Sequence, residues 1–173
     1  MPVEYALRAM SEDRVSRVSR EWAAICGSDE FEVELAPVFA WCGDHLEHRE
    51  GYSYAMEMYS TQQGETAAIL EMVNSKRGAL FKMLKFHLSP KYWVADSDDA
   101  MLEELVQLYL AAFFHVISSG MDGGFDEIKI YGRNATMFVI NKRLQEAWVE
   151  GDTGWSASIQ GRWLSFSKNR DKS

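Results

Sequence analysis

The stretch that decides the fold is Glu127-Ile-Lys-Ile-Tyr-Gly-Arg-Asn134, together with the helical run that follows it to Trp148. Ile128 and Ile130 alternate with polar neighbours, which predicts a strand over residues 125–131 that is paired inside a sheet. Asn134 is a residue type that caps helices, so a helix is predicted to begin directly after it. The residues on its apolar face recur at helical spacing: Met137, Ile140 or Asn141, Leu144 and Trp148.

A longer helical pattern precedes this stretch. Ser97 is predicted to cap it and Gly120 to end it. Because a helix supplies the crossover that parallel strands need, the strand over residues 125–131 can have a parallel neighbour. After the last helix, residues 155–159 and 162–166 flank Gln160-Gly161, a pattern that predicts a terminal hairpin.

The first half of the chain begins with a strand and two helices and then turns to strands. A short strand from Glu4 to Ala9 leads into a helix predicted from Glu12 to Cys26, with Ser11 as its cap and Gly27 at its end. A shorter helix is predicted next, with Pro37 in its first turn. Alternating patterns then predict three consecutive antiparallel strands, over residues 52–58, 66–73 and 80–88.

These elements predict one α+β domain over residues 1–173. Their order is strand, helix, helix, three strands, helix, strand, helix and hairpin. It predicts a central mixed, mostly antiparallel sheet of six to seven strands, flanked by about four helices. A chain of 173 residues buries a sizeable core without help from disulfides or metals.

Composition argues against several classes of function. The net charge of −8, from 26 acidic and 18 basic residues, disfavours nucleic acid and anionic membranes as partners. The apolar run from Leu110 to Ile117 is too short to span a membrane, and the N-terminus lacks a signal-peptide pattern, so a cytoplasmic location is expected. Cys26 and Cys42 are too few for a disulfide framework.

The chain resembles the GNAT superfamily of N-acetyltransferases in the order of its elements. The resemblance covers nearly the whole chain and is closest over Glu127–Asn134 and the helix Ala135 to Trp148. It implies a GNAT-like fold and an N-acyltransferase that moves an acyl group from acetyl-CoA, or another acyl-CoA, to an amine of a small molecule or protein.

The resemblance also implies where acyl-CoA binds. In the family, the acyl donor lies in an opening between the fourth and fifth strands, and helix amides hold its pyrophosphate. The donor is therefore expected along Met83 to His87, with its phosphates near Ser89 to Ser97. The residues implied in cofactor binding are Leu84, Phe86, Leu88, Lys91 and Asn134.

Two segments depart from the family pattern. The family's phosphate loop has two glycines, but Pro90 to Asp99 has none and contains three aspartates, whose charge Lys91 offsets only in part. Many family members also have a tyrosine, seven residues after the asparagine, that protonates the leaving thiolate. That position is Asn141 here, and the candidate replacements are Tyr131 and Tyr109. The competing interpretation is a buried tyrosine that is only packed and hydrogen-bonded.

An amine acceptor must lose a proton, which requires a base on the central strands. The candidates are His87, Glu71 and Glu57. His87 is preferred because it stands at the end of the fourth strand, beside the expected opening, and an imidazole exchanges a proton near neutral pH. The competing interpretation is a histidine with a purely structural role.

Cys42, His45 and His48 are spaced like metal ligands along a short helix, but no fourth ligand follows from the sequence. A solvated polar helix face is the preferred interpretation, so no metal site is predicted.

Other functions stay open beside the transferase. One is a catalytically inactive GNAT-like domain that binds an unknown protein partner, for example in a phage-related assembly. Another is an acidic chaperone or immunity-type protein, which would show an acidic surface around Asp96 to Glu104 and no pocket beside His87. Three tryptophans near the C-terminus form either part of the core or a surface for a partner or second subunit: Trp148, Trp155 and Trp163.

Overall fold

A seven-stranded sheet in the order β1-β2-β3-β4-β5-β7-β6 forms the centre of the molecule. The computed structural model describes residues 3–148 and 153–169. The strands are β1 Tyr5–Ala9, β2 Ser53–Ser60, β3 Glu65–Ser75, β4 Leu80–Leu88, β5 Glu127–Tyr131, β6 Trp155–Gln160 and β7 Trp163–Lys168. The helices are α1 Glu12–Cys26, α2 Ser28–Glu30, α3 Ala36–Asp44, α4 Asp99–Asp122 and α5 Ala135–Ala147, with a π-helical turn Phe31–Leu35 and a 3₁₀ helix Pro90–Ser97.

The sheet is mixed and mostly antiparallel, as the sequence predicts. Strands β4 and β5 pair in parallel, and every other neighbouring pair is antiparallel. Helix α4 makes the crossover between the two parallel strands. The predicted three-strand meander and the terminal hairpin are both confirmed.

Several helix ends follow from side-chain caps that the sequence predicts. The hydroxyl of Ser11 accepts a hydrogen bond from the backbone N–H of Arg14 at the start of α1. Asn134 caps α5 in the same way, since its side-chain oxygen accepts from the N–H of Met137 at 2.8 Å. Gly27 ends α1 with a φ of +83°, a conformation that glycine adopts without strain.

Two predicted details are wrong, and one helical segment was not predicted. Asp98, and not Ser97, caps α4, because Ser97 ends the 3₁₀ helix and its hydroxyl donates to the carbonyl of Val94. Gly120 lies inside α4, where a Cβ atom would come within 2.5 Å of Ile128. Residues 28–35 are helical, although the sequence there shows no clear helical period.

Two clusters of buried side chains cover the two faces of the sheet. The smaller cluster joins α1 and α3 to Ala55 of β2 and Ile69 of β3. The larger cluster joins α4 and α5 to the opposite face, and it includes Trp155, with Trp148 packed against it. The core interpretation therefore holds for these two tryptophans.

Helix α4 has the length and apolar composition of a membrane span, and the described residues contain no second helix of that kind. Eight of its residues are buried against the sheet and the neighbouring helix: Leu105, Leu108, Tyr109, Ala112, Phe113, Val116, Ile117 and Gly120. It is the central core helix of the fold.

Candidate functional site

A bulge in β4 opens the sheet at the place where the sequence predicts a ligand. Glu71 faces Lys85 across the β3–β4 pair, but Met72 faces Met83, so Leu84 is an extra residue in β4. Pairing between β4 and β5 stops at Met83. Because a bulge bends its strand and ends regular pairing, β4 and β5 separate beyond this point.

His87 lies on the α1 and α3 side of this opening. It pairs with Ile69 of β3, whose side chain packs in the α1–α3 cluster. A cavity of about 490 Å³ lies against it. The residues that line the cavity come from α2, the π turn, α3, β4 and the 3₁₀ helix: Glu30, Glu34, Leu35, Val38, Phe86, His87, Leu88 and Trp93.

A second cavity of about 260 Å³ also reaches His87 and shares Val38 with the first. Its charged lining residues are Glu71, Lys85 and Arg133, and Pro37 and Trp41 complete its wall. The two cavities meet at the end of β4, so His87 stands between an acidic space and a mainly basic one. The chaperone or immunity-type interpretation expects no pocket beside His87. These two cavities contradict that expectation.

Burial, which has the largest effect, and the positive charges of Arg133 and Lys85 together lower the pKa of His87 to about 4, against an opposite effect of Glu71. The imidazole is therefore uncharged at neutral pH, which is the form that accepts a proton. A low pKa also makes it a weak base, so it acts best on an amine whose own pKa is lowered in the site.

Glu71 lies two residues along β3 from the partner of His87 and borders the smaller cavity. One of its carboxylate oxygens accepts from the hydroxyl of Ser53 at 3.0 Å. The other lies 3.0 Å from the ammonium of Lys85, whose side chain is half exposed. Glu71 is thus held in place but remains beside the space that a ligand could enter.

Glu57 is enclosed by its own partners and faces no described cavity of the site. Its side chain is fully buried, and three arginines surround it at 2.7 to 3.4 Å: Arg8, Arg14 and Arg17. The hydroxyl of Thr66 donates to it at 2.6 Å. With its lone pairs occupied, Glu57 has a structural role in this arrangement, although the sequence placed it among the candidate bases.

The other side of the opening carries Phe86, Tyr109 and Asn134. The rings of Phe86 and Tyr109 lie 4.9 Å apart. The side-chain amide of Asn134 donates to the hydroxyl oxygen of Tyr109 at 3.2 Å. Burial raises the pKa of Tyr109, so its hydroxyl keeps its proton at neutral pH beside the start of α5.

Asn141, at the position of the family's tyrosine, is fully buried against the end of β5. Its amide donates to the carbonyl of Ile130 at 3.4 Å, while its side-chain oxygen has no hydrogen-bond partner among the described residues. Leaving a buried oxygen of this kind without a donor costs free energy. Gly132 is needed beside it, since a Cβ there would lie 3.0 Å from the Asn141 amide nitrogen.

The backbone N–H groups at the start of α4 already donate to an acceptor within the chain. Asp98 accepts hydrogen bonds from the backbone N–H groups of Ala100 and Met101. These are the groups that a pyrophosphate would need at a helix start. The ammonium of Lys91, which the sequence assigns to phosphate, lies 2.9 Å from both Glu65 and Glu104.

The structure also explains the triplet Cys42, His45 and His48. Cys42 is fully buried, and burial raises the pKa of its thiol to about 12. His45 is hydrogen-bonded to the carbonyl of Trp41 at 2.7 Å, and His48 lies against the ring of Tyr54. Among the described residues, no three potential ligands come together to hold a metal ion.

Sequence reasoning placed His87 and Asn134 at the opening but missed most of the cavity walls. Leu84 and Leu88 lie in β4 as expected, and their predicted contacts with a donor remain predictions. Glu30, Glu34 and Arg133 were not recognised. The only signal for the two glutamates was their spacing of four residues, which becomes informative once the segment is known to be helical.

No protein-family model matches the sequence, and no curated protein sequence matches it. Solved structures do resemble it. A GCN5-related N-acetyltransferase from Brucella melitensis matches with a TM-score of 0.55 and 10% identity, over 96% of this chain and 77% of that protein. A probable acetyltransferase from Staphylococcus epidermidis ATCC 12228 matches with a TM-score of 0.51 and 12% identity, over 95% of this chain and 99% of that one. The chain has the GNAT fold, which the sequence resemblance predicted.

Proposed function

We propose that the chain is an N-acyltransferase that moves an acyl group from an acyl thioester, such as acetyl-CoA, to an amine. The observation that carries this proposal is the opening at the Leu84 bulge. A neutral histidine borders the opening on one face, and a protonated tyrosine lies near it on the other. This arrangement separates a proton acceptor for the amine from a proton donor for the leaving thiolate.

The residues at the opening suit the pantetheine part of an acyl-CoA. Leu84, Phe86 and Leu88 offer apolar side chains and strand backbone along β4. Asn134, beside Tyr109, stands at the same edge.

The start of α4 does not suit the diphosphate part of the donor. Asp98 already accepts from the free N–H groups there, and Asp96 and Asp99 add negative charge nearby. Like charges repel, and Lys91 is neutralised by two carboxylates. The affinity for an acyl-CoA is therefore expected to come from its pantetheine and acyl parts.

Two groups of the chain would move protons during the reaction. When bound, the thioester supplies the activated acyl carbonyl. The neutral imidazole of His87 accepts the proton that the amine loses as it attacks. The hydroxyl of Tyr109, oriented by Asn134, donates a proton to the departing sulfur. Tyr109 thereby takes the role of the family's tyrosine, whose position is occupied by Asn141 in this chain.

A second candidate is an inactive GNAT-like domain that binds a protein partner. The occupied start of α4 is the specific observation in its favour, because a domain that no longer binds a nucleotide donor has no need for free amides there.

Titration calorimetry with acetyl-CoA, free coenzyme A and acetyl-pantetheine tests both candidates. Micromolar acetyl-CoA binding, with acetyl-pantetheine within about tenfold of it, supports the transferase. No binding of any thioester at millimolar concentration contradicts it and favours the inactive domain.

Activity then tests the role of His87. His87→Gln is expected to lower kcat with an amine acceptor by about a hundredfold or more while thioester binding stays unchanged. Glu57→Gln, assayed at a temperature where it remains folded, is the control and should retain turnover. Equal losses in both variants would contradict the assignment of His87 as the base.

A further inference from the structure

We infer that the larger cavity beside His87 binds an amine that carries a second positive charge, such as a small diamine. This inference rests on the proposed function, because it names the acceptor of the acyl group. It comes from the walls of the cavity, which combine two carboxylates and an exposed tryptophan with an apolar floor.

The two carboxylates belong to consecutive helical turns. Glu30 ends α2 and Glu34 lies in the π turn, four residues later, so both side chains face the same side. Neither makes an ion pair with any residue in 3–148 or 153–169. Two neighbouring, unpaired negative charges repel each other, and a bound cation relieves that repulsion.

Trp93 adds a second group that favours a cation. Its side chain is 44% exposed although it is large and apolar, and it lines the same cavity from the 3₁₀ helix. The face of an indole attracts ammonium groups more strongly than other aromatic rings do. Carboxylates on one wall and an indole on another together suit an ammonium group.

The apolar side chains that line the cavity favour a hydrocarbon segment between the two charged ends of the ligand. Leu35, Val38 and Leu88 line the same cavity as the two carboxylates and His87, and their side chains are suited to contact methylene groups. The reacting amine would then lie at His87, and the second ammonium at Glu30 and Glu34. A volume of about 490 Å³ is in the range of small-molecule sites, which favours a small diamine over a protein segment.

The positive charges of the smaller cavity support this orientation. Arg133 and Lys85 line the smaller cavity with His87, whereas Glu30 and Glu34 line the larger one. An ammonium group placed in the smaller cavity would be repelled, so a dication is directed into the acidic cavity. The same positive charges lower the pKa of an amine beside His87, which makes its proton easier to remove.

Calorimetric titration of the whole protein, without any acyl donor, tests the inference. The probes are 1,5-diaminopentane and 5-amino-1-pentanol, which match in length but differ by one charge. At low ionic strength, the diamine is expected to bind about tenfold more tightly, because exposed ion pairs and an indole contact each add modestly. Added salt should reduce the difference by screening.

Variants locate the site. Glu30→Gln combined with Glu34→Gln should remove the preference for the diamine. Glu32→Gln is the matched control, since Glu32 lies in the same turn, is exposed, and does not line the cavity. Thermal unfolding shows whether each variant is folded before the titration.

Three outcomes overturn the inference: equal binding of both probes, a preference that survives the double change, or the same loss in Glu32→Gln. The last would indicate general attraction to an acidic protein. Acyl transfer to amines with no preference for dications would overturn this inference and leave the proposed function standing. Selective diamine binding without any thioester binding would contradict the transferase and leave the cation site in place.

Discussion

Glu57 and Glu71 lie on the same face of neighbouring strands, yet their surroundings differ. Glu57 pairs with Ile69 across the sheet, and Glu71 follows Ile69 by two residues. Three arginines and a threonine enclose the first carboxylate, whereas Glu71 borders a cavity. The difference teaches that burial and charge alone do not identify a catalytic group. A carboxylate is a candidate base only if a ligand can reach the space beside it.

The same contrast separates larger regions of the molecule. Around Glu57, and at Asp98 and Lys91 near the start of α4, the charged groups have partners within the chain. In the two cavities beside His87, the side chains of Glu30, Glu34 and Arg133 have no ion-pair partner among the described residues. Changes in the first kind of region should alter stability, and changes in the second kind should alter binding and pH response.

The largest effect is expected for Glu57→Ala. Removing it leaves three arginine side chains facing one another, which should lower the free energy of unfolding by about 2 to 4 kcal/mol. This loss in the free energy of unfolding is smaller than the loss expected for a fully buried ion pair, because the arginine side chains retain contact with water. Urea denaturation measures it, and Glu71→Ala is the comparison, with an expected loss of about 1 to 2 kcal/mol. Similar losses in the two variants would remove the distinction between the carboxylates.

A smaller effect is expected from the titration of His87. Its pKa is about 4 in the folded protein, against 6.5 for a histidine that is free in water, so the unfolded chain binds more protons between these values. This contribution to stability is present above pH 6.5 and is lost as the pH falls toward 4. Melting temperatures of the parent protein and His87→Gln, measured at about pH 7 and about pH 5, should therefore converge as the pH falls. Parallel pH profiles would show that His87 is not buried as described.

Asn134→Ala should destabilise the chain by about 1 kcal/mol, because α5 loses its cap. It should also weaken thioester binding, because Asn134 is one of the residues proposed to contact the donor at the edge of the opening. Asn134→Ser keeps a capping hydroxyl and separates the two effects: stability should recover, while binding should not. If Asn134→Ser also restores thioester binding, the amide of Asn134 has no part in holding the donor.

The smallest effect is expected at the start of α4. Changing Asp98 and Asp99 to asparagine keeps a cap on the helix but removes two negative charges. Binding of coenzyme A should tighten by a few fold at low salt, since repulsion of its diphosphate is relieved. Calorimetry at two salt concentrations measures this change. Weaker binding in the variant would mean that the diphosphate lies elsewhere on the molecule.

Much of the fold was accessible from local patterns in the sequence. Alternation identified the strands, and the capping residues Ser11, Gly27 and Asn134 marked helix ends, because these signals act within a few residues of the chain. The π turn was missed because Phe31, Val33 and Leu35 alternate with two glutamates, a spacing that is typical of a strand and not of a helix. Ser97 was mistaken for the cap because Asp98, the next residue, competes for the same N–H groups.

The sequence by itself determined the order of elements, the GNAT-like fold and the place of His87 at the end of β4. Only the tertiary structure decided which charged groups face a cavity. It placed Glu57 among arginines from β1 and α1, brought Glu30, Glu34 and Trp93 to one cavity, and opened the sheet at Leu84. The physical reason is that hydrogen-bond patterns and helix caps are local, whereas a cavity depends on side chains that meet from distant parts of the chain.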